Sequence, residues 1–329
     1  MTELSPYYRD DTVSLFHGDA AEVAMHLPTG SVQTIITSPP YFGLRDYGVA
    51  GQLGAEESVF EYIDRLVALF AELRRVLADD GTLWLNLGDT YAAKARGSDE
   101  GWDKSRLTNP ARAQKAQAAS LRRTGEGHRG QRDGIANKNL IGVPWRVALA
   151  LQNDGWILRS DIIWSKPNPM PESVTDRPTR AHEYLFLLAK SERYFYDAEA
   201  IAEDSVSTKA SGNGFTRPES IHRGGAGQDE RWASIGGRRN RRDVWSVATV
   251  PFAESHFAVY PPRLIQPCVL AGSRAGDVVL DPFSGSGTTG MVATQEGRRY
   301  VGIDMNRDYL DLSLRTRFAQ PSLNLGGIG

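Results

Sequence analysis

The sequence predicts an α/β fold built on a largely parallel sheet, and three features predict it. Strand-like and helix-like segments alternate along most of the 329 residues. The stretch DPFSGSGTT (281–289) joins an apolar strand pattern to a helical one through glycines at 285 and 287. Only one helix follows the next strand, so the strands completing a doubly wound sheet are expected from the N-terminal half.

Element by element, TVSLFHGD (12–19) alternates into a strand ending at Asp19, AAEVAMHLP (20–28) is a short helix, and VQTIITSPP (32–40) is the next strand. EESVFEYIDRLVALFAELRRVLADDG (56–81) has apolar residues at helical spacing and a glycine stop, with Phe60, Ile63, Val67 and Phe70 as its core stripe. GTLWLNLGD (81–89) is a strand, and VPWRVALALQNDG (143–155) a helix ending on Gly155. WILRSDIIWSKP (156–167) and HEYLFLLAKSERYFYD (182–197) read as antiparallel strands. YPPRLIQPCVLAG (260–272) is a helix, DVVLDPF (277–283) a strand, SGTTGMVATQEG (286–297) a helix, and YVGID (300–304) a strand before a last helix over 306–318. Trp84, Trp156 and Trp164 lie inside strands and are expected to pack, while Trp245 fits either packing or binding. TVSLFHGD is expected beside YVGID in the sheet, so the strand tips at Asp19, Ser38, Asp281 and Asp304 should converge.

Hydrophobic content of 40% and charged content of 24% are those of a globular chain with room for a full core. The N-terminus MTELSPYYRDD lacks the pattern of a secretory signal, and no apolar run approaches the ~20 residues of a membrane span. With one cysteine, Cys268, a disulfide framework and a thiolate zinc site are excluded, and six scattered histidines suggest no metal. A cytoplasmic protein of a prokaryotic cell or its phage is expected. The net charge of −2 hides two basic stretches. Residues 94–138 hold eleven Lys and Arg against five acids, and residues 206–242 hold eight against three. Both lack hydrophobic periodicity and read as loops, either solvated linkers or a divided clamp for a polyanion. GGRRNRR (236–242) concentrates Arg238, Arg239, Arg241 and Arg242.

Two stretches carry chemistry. In the first, DPFSGSGTT, a bared backbone lets a ligand lie against a strand end and a helix N-terminus. Asp304, about twenty residues on, ends the next strand, where an acid can accept from ribose hydroxyls. A dinucleotide fingerprint is not present, because 285–290 reads GSGTTG. An acid at Asp281 would repel a pyrophosphate but suits the cationic amino group of an amino acid. Adenosine joined to a cationic amino acid is S-adenosylmethionine. The second stretch, TSPPYFGL (37–44), ends an apolar strand on two prolines and two aromatic rings, a stiff corner poor in backbone donors.

TSPPY before, DPFSGSGTT after, and a basic region between them resemble the amino-group DNA methyltransferases of the circularly permuted β class, and the resemblance covers most of the chain. HFAVYPPRLI (256–265) is similar to that family's cofactor motif, and RPTRAHEYLFLLAKSERYFYD (177–197) to the segment before its target-recognition region. The resemblance implies a Rossmann-like, permuted S-adenosylmethionine-dependent methyltransferase fold. Residues 1–93 and 139–200 would form its catalytic half and 251–329 its cofactor-binding half, with a basic insert over 94–138 and a target-recognition region over 201–250. It implies Ser38, Pro39, Pro40 and Tyr41 as the catalytic corner. Asp19, Phe257, Asp281, Phe283, Gly285, Gly287, Thr288 and Asp304 would hold the cofactor. Double-stranded DNA is the implied partner, with a homodimer and a companion restriction endonuclease as further expectations. TSPPY is the form associated with N4-cytosine methylation, and (D/N)PPY with N6-adenine enzymes.

The corner suits that chemistry. An exocyclic amino group is a poor nucleophile because its lone pair is delocalised into the ring. Acceptors at its two N–H bonds, Ser38 Oγ and the Pro39 carbonyl, would localise that pair. Tyr41 would stack on a base extruded from the duplex. Against these stand plainer assignments. Asp19 is either a helix cap or a neighbour of the cofactor's adenine. Cys268 follows a proline, as the nucleophile of cytosine-C5 enzymes does, but its place in a helix before the cofactor turn makes it a core residue. An amino-methyltransferase of RNA or protein glutamine, and a DNA-binding regulator with a degenerate site, are competing functions. The motif order and the intact motifs respectively disfavour them.

Overall fold

The computed structural model describes residues 5–43, 51–93, 133–204, 238–250 and 260–318. In chain order the elements are β1 (Tyr8–Arg9), β2 (Val13–His17), α1 (Ala20–His26), β3 (Val32–Thr37), α2 (Val59–Val76) and β4 (Leu77–Leu87). There follow α3 (Val143–Asn153), β5 (Ile157–Ser165), β6 (His182–Ala189), β7 (Glu203–Asp204), β8 (Arg238–Arg239) and β9 (Val244–Ser246). The last part of the described chain holds α4 (Pro262–Gly272), β10 (Val278–Asp281), α5 (Thr288–Gln295), β11 (Arg299–Asp304) and α6 (Arg307–Ser313), which runs into a π-helical turn, Leu314–Phe318.

Nine strands form one sheet in the order β1-β2-β11-β10-β3-β4-β6-β5-β9, while β7 and β8 pair separately. From β2 to β4 every neighbouring pair is parallel, and β6 runs antiparallel to both β4 and β5. The expected juxtaposition is present: β2 lies beside β11, with Val13 opposite Tyr300 and His17 opposite Asp304. The last two strands of the described chain thus lie between two strands from its beginning. This is a permuted Rossmann-like sheet, and it brings four C-terminal strand ends to one edge.

The sheet is buried on both faces, as the unbroken apolar runs of β3 and β4 require. Helices α1, α2 and α3 cover one face around Ile35, Leu83 and Phe186, and α4, α5 and α6 cover the other around Ile36, Trp84 and Val279. Trp84, Trp156, Trp164 and Trp245 are all buried. Helix α2 buries Val59, Tyr62, Ile63, Leu66, Leu69, Phe70, Leu73 and Val76, each large side chain contributing about 1.5–3 kcal/mol.

Several boundaries differ from expectation. Helix α2 stops at Val76, capped by Leu77, and β4 begins at once rather than at Gly81. Gly81 lies at a bulge against β3, where a Cβ would come within 2.8 Å of the Gln33 carbonyl, so it shapes the strand and not the helix end. Phe60 is 49% exposed and leaves the core stripe to Val59 and Tyr62, with the Arg146 guanidinium over its ring. β6 ends at Ala189, because Ser191 Oγ turns back to the Asp79 carbonyl and breaks the strand pattern. Most of the two basic stretches (94–132 and 205–237) lies outside the described residues. No described helix is long and apolar enough to cross a membrane.

Candidate active site

Pairing between β3 and β4 ends at Thr37 opposite Leu85. Beyond it Pro39 and Pro40 offer no N–H to continue the ladder, so the chain turns off the sheet edge. The two proline carbonyls are not equivalent. That of Pro40 accepts from Tyr62 Oη at 2.9 Å, whereas that of Pro39 accepts no hydrogen bond among the described residues. Phe42 is buried against Tyr62, with ring centroids 5.7 Å apart, and Gly43 donates to the Gly54 carbonyl at 2.8 Å. These contacts hold the corner from behind.

Tyr41 is half-buried and lies against Gly88, where a Cβ would be 2.6 Å from its Cε2, so only glycine admits the ring there. Its hydroxyl sits in a polar cluster. It donates to Glu183 Oε2 at 2.7 Å and lies 3.1 Å from Asn86 Oδ1, and Ser38 Oγ donates to it at 3.3 Å. The other Glu183 oxygen pairs with Lys166, whose ammonium rests 4.2 Å from the Trp164 ring centroid. Burial first, then the Glu183 carboxylate, push the Tyr41 hydroxyl well above its ordinary range and keep it protonated.

The glycine turn begins one strand away. Asp281, at the tip of β10, is 1% exposed and has four protein donors. Its Oδ1 accepts from Thr37 Oγ1 at 2.7 Å and Phe283 N at 3.0 Å, and its Oδ2 from Tyr260 Oη at 2.9 Å and Thr289 Oγ1 at 2.7 Å. Burial raises its carboxyl above the usual range, with the four donors opposing. This arrangement differs from the expected open acid awaiting a cationic group, because its acceptor positions are already filled. Asp281 instead joins the proline corner to the glycine turn.

Gly285 (φ +51°) and Gly287 (φ +78°) adopt the left-handed conformation that the turn demands. They serve different ends. Among the described residues a Cβ on Gly285 would meet nothing nearer than 3.9 Å, while one on Gly287 would strike Ser313 at 2.9 Å and Phe318 at 3.1 Å. The first leaves open space above the turn, and the second lets α5 pack. Asp304, at the tip of β11, accepts from Gly285 N and Asn306 N, both at 2.8 Å. Burial pushes its carboxyl up to about 6, with Asp281 adding to the rise and His17 opposing it. Ser286 Oγ and Thr288 Oγ1 are buried and find no hydrogen-bond partner among the described residues. Two orphaned hydroxyls, an open glycine and a helix N-terminus fit a polar ligand such as S-adenosylmethionine.

Of the remaining expected residues, Asp19 caps α1 through Ala21 N (2.9 Å) and Glu22 N (3.2 Å), which favours the cap over a ligand contact. Phe283 lies half-buried beside the turn, and Phe257 falls outside the described residues. The arginine cluster is partly engaged with the protein. Arg238 reaches the Ala202 carbonyl at 2.6 Å, Arg239 and Arg242 share Glu203 at 2.9 and 2.6 Å, and Arg241 stacks on Trp245 at 4.7 Å. Cys268 is fully buried in α4, and burial raises its thiol far above the ordinary value. The residues that sequence reading passed over are the holders: Thr37, Tyr260 and Thr289 around Asp281, and Asn86, Lys166 and Glu183 around Tyr41. Thr37, Tyr260, Thr289 and Glu183 lie within the motif stretches and Asn86 and Lys166 within or just past strands, but no local spacing shows which of them meet.

A permuted Rossmann-like sheet with a Ser-Pro-Pro-Tyr corner beside a glycine turn defines an amino-group methyltransferase. Comparison with known proteins agrees. Residues 32–315 match the N6/N4 family described as DNA methylase, and the chain belongs to that family. It is 50% identical to the Type II methyltransferase M.Cfr9I of Citrobacter freundii, over 92% of this chain and 86% of the relative. Identity to M.SmaI of Serratia marcescens is 46%, over 90% of this chain and 87% of the relative. Among solved structures, the cytosine-N4-specific PvuII DNA methyltransferase superposes with a TM-score of 0.62 at 17% identity, covering 98% of this chain and 90% of that one. A Thermus thermophilus protein solved with S-adenosyl-L-methionine gives 0.52 at 23% identity, covering 93% and 94%. The protein is therefore a Type II DNA methyltransferase of the N6/N4 family.

Proposed function

We propose that this enzyme methylates the N4 amino group of a cytosine flipped out of double-stranded DNA, using Ser38 Oγ and the Pro39 carbonyl as the two acceptors for its N–H bonds. The observation that carries this reading is the difference between the two proline carbonyls. Tyr62 occupies that of Pro40, and that of Pro39 accepts nothing among the described residues. S-adenosylmethionine supplies an electrophilic methyl group on a sulfonium centre. The protein's own part is to fix the amino group and localise its lone pair, which is electrostatic preorganisation combined with alignment. Ser38 is a short hydroxyl where adenine enzymes of the resembling class carry Asp or Asn, and this favours cytosine. Tyr41 supplies the ring on which the base stacks.

In this reading the turn at Phe283, Gly285, Gly287 and Thr288, with Asp304, holds the cofactor, Asp304 taking the ribose hydroxyls. Asp281 acts through Tyr260, Thr37 and Thr289. Residues 1–93, 139–200 and 251–329 make up the methyltransferase body, while 94–138 and 201–250, including Arg242, face the DNA. Modification-aware sequencing of DNA from cells expressing the protein, with mass spectrometry of its nucleosides, gives site and base together. N4-methylcytosine is expected. N6-methyladenine without N4-methylcytosine reverses the base assignment and leaves the methyltransferase intact.

A further inference from the structure

Ser38 presents a problem for the reading just given. A hydroxyl rotates, and a rotating hydroxyl points its own proton at the amino group as readily as its lone pairs. We infer that Glu183, paired with Lys166, sets the direction of a hydrogen-bond chain through Tyr41 that leaves Ser38 Oγ an acceptor towards the substrate.

The chain is read from its far end. Glu183 offers both carboxylate oxygens to donors, Lys166 on one and Tyr41 Oη with Asn86 Nδ2 on the other (2.7 and 3.3 Å). A carboxylate in this position can only accept, so Tyr41 must donate. The Asn86 amide is itself oriented by donation to the Tyr184 carbonyl at 3.0 Å, which turns its oxygen towards Tyr41. The single Tyr41 proton is thus drawn to Glu183 and Asn86, and its oxygen can only accept from the third side. Ser38 Oγ stands there at 3.3 Å, a long contact, and among the described residues it is the neighbour that donates. With its proton committed to Tyr41, Ser38 keeps its lone pairs for the amino group. Hydrogen bonds in such a chain reinforce one another in a low dielectric, so the Glu183 charge is felt two links away. Glu183 and Lys166 are each 17% exposed at the side chain, which keeps that charge poorly screened. In this chain Glu183 and Lys166 are positioning residues that act through Tyr41 and Ser38.

This chain rests on Ser38 being an acceptor, and the experiment separates the two claims. On a duplex carrying the site that sequencing defines, methyl transfer is measured for Ser38→Ala, Tyr41→Phe, Glu183→Gln and the pairwise doubles, with DNA affinity and thermal melting alongside. Glu183→Gln introduces an amide N–H₂ that can donate back to Tyr41, while Tyr41→Phe keeps the ring and removes the link. The expected result is a fall in kcat of about 100- to 1,000-fold for Ser38→Ala, as for loss of one preorganised hydrogen bond, and up to that for Tyr41→Phe and Glu183→Gln. KM for DNA should be little changed, and the doubles should be no worse than the poorer single, because all three break one chain. An unaffected Ser38→Ala overturns the acceptor reading itself. An impaired Ser38→Ala with losses that multiply in the doubles, or with Glu183→Gln acting through KM alone, overturns only the chain. Should Glu183→Gln fail to fold, the Ser38→Ala and Tyr41→Phe pair decides by the same criterion.

Discussion

Thr37 Oγ1 donates to Asp281 Oδ1 at 2.7 Å, joining residues 244 positions apart. This bond ties the strand carrying the proline corner to the strand carrying the glycine turn, and it is buried. A hydrogen bond to a charged group contributes about 1.5–3 kcal/mol, and Thr37→Val removes the donor without leaving a void. Urea unfolding should show a loss of about that size. An unchanged midpoint would mean that the two motifs do not depend on each other. Asp281→Ala should be worse, since it strands the hydroxyls of Thr37, Tyr260 and Thr289 as well.

In the cofactor-holding role proposed for it, Asp304 would make affinity for S-adenosylmethionine depend on pH. Its carboxyl stands at about 6 because of burial, with Asp281 adding to the rise and His17 opposing it. The folded protein therefore holds an extra proton between the ordinary carboxylate range and pH 6, and its stability falls as pH rises through that window. A ligand that donates hydroxyls to Asp304 prefers the carboxylate, so binding should release a proton. Calorimetric affinity for S-adenosylmethionine should rise from pH 5 to about 6.5 and then level off. Asp304→Asn should flatten the curve, and a slope that persists in that variant assigns the proton to another group.

Arg242 is 66% exposed at the side chain against 37% for Arg239, although the two share Glu203. A guanidinium released to a phosphate contributes about 0.9 to the slope of log affinity against log salt. Arg242→Gln should reduce the slope by that amount. Arg239→Gln and Arg238→Gln should loosen the β7–β8 pairing instead, since both side chains reach back to 202–203. If Arg242→Gln leaves the slope intact, its charge serves only Glu203.

Cys268 should be silent. Its thiol is fully buried and pushed far above the ordinary range. A thiol reagent should label the protein only after unfolding, and Cys268→Ala should keep methyl transfer, costing stability through lost packing alone. Loss of activity without loss of fold would reopen a covalent mechanism.

The amino-acid sequence by itself determined the alternation of elements, the two strand-tip motifs and the neighbourhood of β2 and β11. These rest on local periodicity, on the φ demands of proline and glycine, and on the need to complete a sheet. It also determined that Cys268 sits in a helix, which is a statement about spacing. Only the tertiary structure decided what the polar groups do. Asp281 reads as an open ligand in one dimension, yet three hydroxyls and a backbone amide from three segments fill its carboxylate, because a buried charge is tolerated only when its acceptors are satisfied. Phe60 fits a helical stripe but lies at the rim of α2, where the neighbouring Val59 and Tyr62 take the buried positions. Glu183 opens a strand and looks like part of a pattern. Its partners, Tyr41, Asn86 and Lys166, come from around three other strands of the sheet. Hydrogen-bond partnership depends on which strand tips are adjacent, and that adjacency is fixed by packing rather than by any spacing along the chain.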